Sequence, residues 1–282
     1  MAPRLTASER MKIPRAQMLE QPVSARSRCF VEVNQGLSDE QAVVEATRCL
    51  QCRDAACVGG CPVGVDIPGF VDAVAQGDLP RAADILYASN VLPGITGRVC
   101  PQETQCEARC ILGKKHAPVA VGYLERFVAD WAREHRTEVV ARAAPTGRRV
   151  AVVGSGPAGL TCAGELARCG HDVTVFEALH RPGGVLVYGI PEFRLPKSIV
   201  DQEVGKLIEL GVRLECNVVI GQTLTIGDLV GGEGFHAVFI ANGAGLPRFQ
   251  GIPGENLKGV YSANEYLTRV NLMGAFRGED AA

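Results

Sequence analysis

Eight of the chain's 11 cysteines lie between Cys29 and Cys110, a crowding that core packing does not require. Seven fall into two groups. The first is Cys49-x2-Cys52-x4-Cys57-x3-Cys61, followed by Pro62; the second is Cys100, followed by Pro101, then x5-Cys106-x3-Cys110. Disulfides would explain such density in an exported chain. The N-terminus, however, is polar from Met1 to Arg15, carries Pro3 and Pro14, and has no apolar stretch of signal-peptide length. The expected location is therefore cytoplasmic, where thiols stay reduced, and ligation is the expected cause of the crowding. Close-spaced cysteines on tight loops, completed by a distant one, suit iron–sulfur clusters, and two such groups let the ligands interleave. Zinc held by four thiolates is the competing reading. Cys162 and Cys169 on an expected helix, and Cys216 near a strand, read as core filling, and Cys29 as structural.

The formal charge of -2 provides no basic field for nucleic acid or an anionic membrane. No apolar run reaches the roughly 18 residues of a membrane span, so neither a nucleic acid nor a membrane is expected as partner. With 46% apolar and 21% charged residues over 282 positions, the chain has the composition of a globular protein with room for two cores.

Helical periodicity marks Leu37–Leu50 with Ser38 as N-cap, then Ile67–Gln76, Leu79–Ser89 and Val121–His135. The polar stretch from His135 to Arg149 reads as a linker. It divides a mostly helical domain, residues 1–146, from a second domain, residues 147–282. There, Arg149–Val153 reads as a buried strand, Pro157–Cys169 as a helix and Asp172–Phe176 as a second strand, a βαβ unit. Val218–Ile220 and Ala237–Ala241 read as further strands.

Between the first strand and its helix stands Gly154-Ser155-Gly156-Pro157-Ala158-Gly159. This is G-x-G-x-x-G in the strand–turn–helix context that gives the pattern meaning. Gly154 serves the turn, Gly156 the approach of a pyrophosphate, Gly159 the packing of helix on strand, and the helix N-terminus offers amide donors. Glu177, at the end of the second strand, falls where an acidic residue accepts from a ribose hydroxyl and repels a 2′-phosphate. FAD or NAD is thus expected, and NADP is not. Arg181-Pro-Gly-Gly184 and Tyr188–Pro196 could lie flat against a planar ring, and Ile240–Gly245 reads as another close backbone approach.

These residues, namely Glu45–Cys52, Gly97–Glu107, Leu124–Phe127, Gly154–Gly159 and Gly189–Lys197, carry a family likeness over nearly the whole chain. The sequence resembles the small (β) subunit of NADPH-dependent glutamate synthase. It is likewise similar to the N-terminal part of dihydropyrimidine dehydrogenase and to the large subunit of the bifurcating NADH-dependent ferredoxin:NADP oxidoreductase. The resemblance implies a helical iron–sulfur domain followed by an α/β Rossmann-type FAD-binding domain. It implies one 4Fe-4S cluster on Cys49, Cys52, Cys57 and Cys110, and a second on Cys61, Cys100, Cys106 and Glu125. On its own, Glu125 would read as a solvated helix carboxylate. FAD is implied in the Gly154 turn with Glu177 on its ribose, lined by Arg181, Gly184, Leu186 and Arg194, with Gly243 nearby.

Members of that family continue past the equivalent of Asn271–Met273 into a second Rossmann-type domain for NADPH, then return to complete the flavin domain. NAD(P)H is therefore expected only through a further domain or a partner chain, and the FAD domain here is expected to be incomplete. No residue is expected to be catalytic in its own right. The implied role is oxidoreductase: electrons pass from NAD(P)H through FAD and the clusters to a partner flavoenzyme. A non-catalytic iron–sulfur wire subunit and a zinc-stabilised nucleotide-binding module are the alternatives.

Overall fold

The computed structural model describes residues 5–135 and 142–277, so the first part of the expected linker, residues 136–141, lies outside the described residues. The chain forms two compact units. One contains the chain up to Val23 and from Val33 to the undescribed stretch; the other contains Ser24–Glu32 and the chain after that stretch.

The first unit is helical. Helix α1 (Ala7–Lys12) opens on a capping box between Thr6 and Glu9. Helix α2 (Val23–Arg26) is a single turn at the change of unit, and α3 (Asp39–Thr47) opens on a second box between Ser38 and Gln41. Helices α4 (Ile67–Ala75) and α5 (Leu79–Ser89) each begin at an aspartate N-cap with proline in the first turn, where a missing N–H costs nothing. Helix α6 (Pro93–Val99), unmarked by periodicity, precedes α7 (Val121–His135) in the unit. Phe70, Val71, Val74, Leu86, Leu124 and Val128 form the centre of the core. Gly97 lets α6 lie against α7, because a Cβ there would stand 2.6 Å from the Arg126 nitrogen. Arg98 fastens the same pair of helices through both oxygens of Asp130, at 2.9 and 2.8 Å.

A buried ion pair ties the remote parts of this unit together. Glu45 and Arg48, 0% and 1% exposed, meet at 2.6 Å near the end of α3. Arg48 also donates to the carbonyls of Ile13, Ala117 and Pro118, and Glu45 accepts from the amides of Ala16 and Ala120.

The second unit holds a parallel four-stranded sheet in the order β3-β2-β1-β4. Strand β1 (Arg149–Val153) leads through α8 (Pro157–Arg168) to β2 (Asp172–Glu177), the expected βαβ unit, with Val150 opposite Val173. Then follow α9 (Val185–Tyr188) and α10 (Lys197–Glu209). Strand β3 (Arg213–Cys216) pairs with β2, and β4 (Ala237–Ile240) pairs with the other edge of β1. Helix α11 (Ala263–Leu272) packs on α9. The expected strand at Val218–Ile220 is absent: Ile220 makes only an isolated bridge to Leu224. The chain pairs earlier, at Arg213–Cys216, and Asn217 with φ 62° ends the strand.

Removing one partner of a buried ion pair strands the other, at a cost of about 3–5 kcal/mol. Glu45→Ala is therefore expected to lower the urea midpoint of the helical unit strongly, since it also leaves the amides of Ala16 and Ala120 without their acceptor. Equal midpoints for Glu45→Ala and the parent would show that the pair fastens nothing.

Candidate functional site

Helix α3 ends two residues before Cys49, whose amide still donates to the Ala46 carbonyl at 3.1 Å. Gln51, with φ 53°, turns the chain so that Cys52 follows in a new direction. Short 3-10 turns at Val58–Gly60 and Glu107–Arg109 separate Cys57 from Cys61 and Cys106 from Cys110. The two cysteine loops press together at Gly60, where a Cβ would lie 2.9 Å from the Gln105 carbonyl.

Cys49, Cys52, Cys57 and Cys110 line one pocket, walled by apolar residues including Leu50, Pro68, Leu112 and Val119. Cys61, Cys100, Cys106 and Glu125 form a second neighbourhood, in which Glu125 and Cys61 act electrostatically on both Cys100 and Cys106. Burial pushes the thiol of Cys49 up to about 11, reinforced by Cys57, Cys110 and Cys52, that of Cys100 to about 11, reinforced by Glu125 and Cys61, and that of Cys106 to about 12, reinforced by Glu107 and Glu125. Burial likewise raises the Glu125 carboxyl to about 7, against hydrogen bonds from Thr96 and Asn90. Among the described residues no three His, Cys, Asp or Glu side chains stand close enough to share a single metal ion, and no disulfide joins the cysteines.

In the second unit, the sheet order reverses between β1 and β4. The loops leaving these two strands form the crevice where open parallel sheets take ligands. Gly154 follows β1 with φ 98°, and a Cβ there would come within 2.5 Å of the Ala241 carbonyl after β4. Gly159 presses its helix against the Gly154 carbonyl. Gly156, the N-cap of α8, has no neighbour within 4 Å of a Cβ position and no side-chain cap, and Pro157 and Ala158 begin the helix exposed. Gly184, with φ 52°, brings its loop close to the Gly156 Cα, 2.8 Å from a Cβ position.

Glu177 is buried. Its Oε2 accepts from the backbone and hydroxyl of Ser155, and its Oε1 accepts from Leu179 N at 2.9 Å. The Ser155 hydroxyl oxygen in turn accepts from Gly183 N at 2.9 Å. Ser155 thus links the glycine turn, the end of β2 and the Arg181–Gly184 loop, a role that its place in the motif does not announce. Leu186 is buried in α9, whereas Arg194 is exposed and Arg181 is engaged with Asp201 at 2.8 Å. Gly243 has φ 69° and nothing within 4 Å of its Cβ position. Helix α9 separates the two segments expected to lie flat, and α10 follows the second; its first residue, Lys197, is buried and donates to the carbonyls of Ile190 and Leu195 at 2.6 and 3.1 Å. Cys162 and Cys216 are half-buried, but Cys169 is exposed at the C-cap of α8, so it does not fill the core as expected.

Burial pulls the Lys197 ammonium from 10.5 down to about 8. Between those values the unfolded chain holds more protons at this site, so its contribution to stability rises with pH through that window and is flat below it. The stability of the parent minus that of Lys197→Met is expected to grow from about pH 8 to about pH 10 in urea titrations. A constant difference would contradict the buried ammonium.

Residues 26–137 match the family described as dihydropyrimidine dehydrogenase domain II, 4Fe-4S cluster, and residues 148–274 match pyridine nucleotide-disulphide oxidoreductase. A glutamate synthase [NADPH] small chain of Mycobacterium tuberculosis is 39% identical over 89% of this chain and 51% of its own length. The NAD-dependent dihydropyrimidine dehydrogenase subunit PreT of Escherichia coli K12 is 37% identical over 74% of this chain and 51% of its own. The putative oxidoreductase AegA of the same strain is 35% identical over 87% and 37% respectively. The chain therefore spans about half or less of the length of these relatives. Built from a 4Fe-4S domain and a parallel-sheet α/β oxidoreductase domain, it is a homologue of the glutamate synthase small chain and PreT proteins.

Proposed function

We propose that the chain is the electron-transfer part of a cytoplasmic oxidoreductase, with two 4Fe-4S clusters in the helical unit and FAD in the Rossmann-type unit. Electrons would enter from NAD(P)H through a further domain or partner chain and leave to a partner flavoenzyme, as in a glutamate synthase small chain. The observation that carries this reading is the ring of Cys49, Cys52, Cys57 and Cys110 around one pocket. The second ligand set, Cys61, Cys100, Cys106 and Glu125, stands together in the same unit.

The donor set fits the clusters. Four thiols that line a space without converging on one point suit a multi-iron cluster better than zinc, whose ligands must all lie about 2.3 Å from a single ion. Burial disfavours their thiolate forms, and the positive charge of bound iron would offset that cost.

The glycine turn fits a dinucleotide. Gly156 leaves open the space a pyrophosphate would take, and the uncapped first turn of α8 presents its amides there. Glu177 is oriented at the end of β2 with Ser155 holding one of its oxygens, and the ribose would take up remaining acceptor capacity on the carboxylate. When bound, FAD supplies the exchange between two-electron hydride chemistry and one-electron transfer, and the protein supplies binding and position.

The test is anaerobic purification with iron, zinc and flavin quantified on one sample. About eight irons per chain, a broad absorption near about 400 nm bleached by dithionite, and released FAD are expected. Zinc without iron would sink the electron-transfer reading. Cys110→Ser and Cys106→Ser are each expected to cost about half the iron, since each removes a ligand from a different four-iron cluster. Loss of iron from neither variant would overturn the ligand sets.

A further inference from the structure

Glu125 is the one non-thiol member of the second ligand set, and its surroundings are more specific than a buried carboxylate requires. Its Oε1 accepts from Asn90 Nδ2 at 2.9 Å and from the Thr96 hydroxyl. Asn90 is 6% exposed, and its orientation is fixed by the backbone: Oδ1 accepts from Leu92 N at 3.0 Å, which turns Nδ2 toward Thr96 and Glu125. The Thr96 hydroxyl oxygen accepts from Nδ2 at 2.8 Å and has one hydrogen to give. The carboxylate, a charged acceptor, takes it in preference to the neutral Leu92 carbonyl at 3.1 Å.

Thr96 also touches the second set through its backbone. Its carbonyl accepts from the amide of Cys100 at 3.0 Å and from Gln102 Nε2 at 3.0 Å. One residue of α6 therefore fixes both Glu125 and the start of the Cys100 loop, while none of these bonds reaches the pocket of Cys49, Cys52, Cys57 and Cys110.

We infer that Asn90 and Thr96 are positioning residues that hold Glu125 by Oε1 and so leave Oε2 as the oxygen for iron in the second cluster. The inference rests on reading Glu125 as a cluster ligand. Two donors on one oxygen fix the plane of the carboxylate, which favours a single-oxygen bond to iron over a carboxylate that shares both oxygens. The effect of losing them is confined to one cluster of the two.

The test uses the full chain, reconstituted anaerobically, as Thr96→Val, Thr96→Ser, Asn90→Asp and Glu125→Ala. Thr96→Val and Asn90→Asp are expected to change the dithionite-reduced electron paramagnetic resonance spectrum of one cluster and leave the other as in the parent. Their combination is expected to lower iron from about eight per chain toward about four. Thr96→Ser, which keeps the hydroxyl, is expected to retain the parent spectrum and iron, which separates positioning from a general loss of fold. Parent spectra in Thr96→Val and Asn90→Asp, with an altered spectrum in Glu125→Ala, would overturn the positioning role and leave the ligand reading standing. A parent spectrum in Glu125→Ala would overturn the ligand reading and the inference with it.

Discussion

The Glu45–Arg48 pair is the interaction on which the helical unit depends. Each member is fully buried, and each spends its polar atoms on backbone from far along the chain: Ile13 and Ala16 before α3, Ala117, Pro118 and Ala120 before α7. A buried ion pair is weak evidence for stability, because desolvation consumes most of its attraction. Its contribution here is direction. An apolar pair of equal volume would fill the space but specify no register, whereas the guanidinium fork donates only to oxygens presented at set angles. The segment it captures leads into α7 and thereby to Glu125, and the helix end it occupies leads directly to Cys49. Both proposed ligand sets thus hang from one polar centre.

That scaffold holds groups whose charged forms burial disfavours. Burial comes first among the causes that raise Cys49, Cys57, Cys100 and Cys106, and neighbouring thiols and carboxylates add to it. A reactive cysteine is built the opposite way, beside a cation or helix N-terminus that lowers its pKa. An environment hostile to thiolates is coherent if the compensating charge arrives with the ligand, so that assembly of the site and binding become one process. Glu125, raised by the same burial, belongs to that logic.

What was legible in the sequence was what local chemistry dictates. Ser38 and the apolar spacing behind it announce α3, and the run from Val150 to Val153 announces a strand buried on both faces. Val218–Ile220 misleads because its apolar run mimics a strand, while the actual strand, Arg213–Cys216, alternates exposed and half-buried positions at the edge of the sheet. Pairing with β2 decides the matter, and pairing is not local. Helix α10 was hidden by the prolines and glycines before it. Glu125 had no signal of its own: a lone glutamate on a helix carries little information until Asn90 and Thr96, distant in the chain, are brought against it. Ser155 was counted in the glycine motif for its position alone, and its link to Glu177 and Gly183 emerges only in the fold.

The glycine turn separates what packing explains from what it does not. Gly154 is required because its backbone lies against the Ala241 carbonyl, Gly159 because its helix lies on the Gly154 carbonyl, and Gly184 because its loop meets the Gly156 Cα. Each of these follows from the chain's own backbone approaching itself at the β1–β4 reversal of the sheet. Gly156 does not fit that account: a Cβ there would meet open space, and its φ of -66° is one any residue adopts. Contacts at its own Cβ position do not require glycine there. The missing side chain becomes intelligible when the uncapped start of α8 is set beside it, since a phosphate approaching those amides would cross the space a Cβ would fill. Within the motif, Gly156 is therefore the glycine that speaks for a bound dinucleotide.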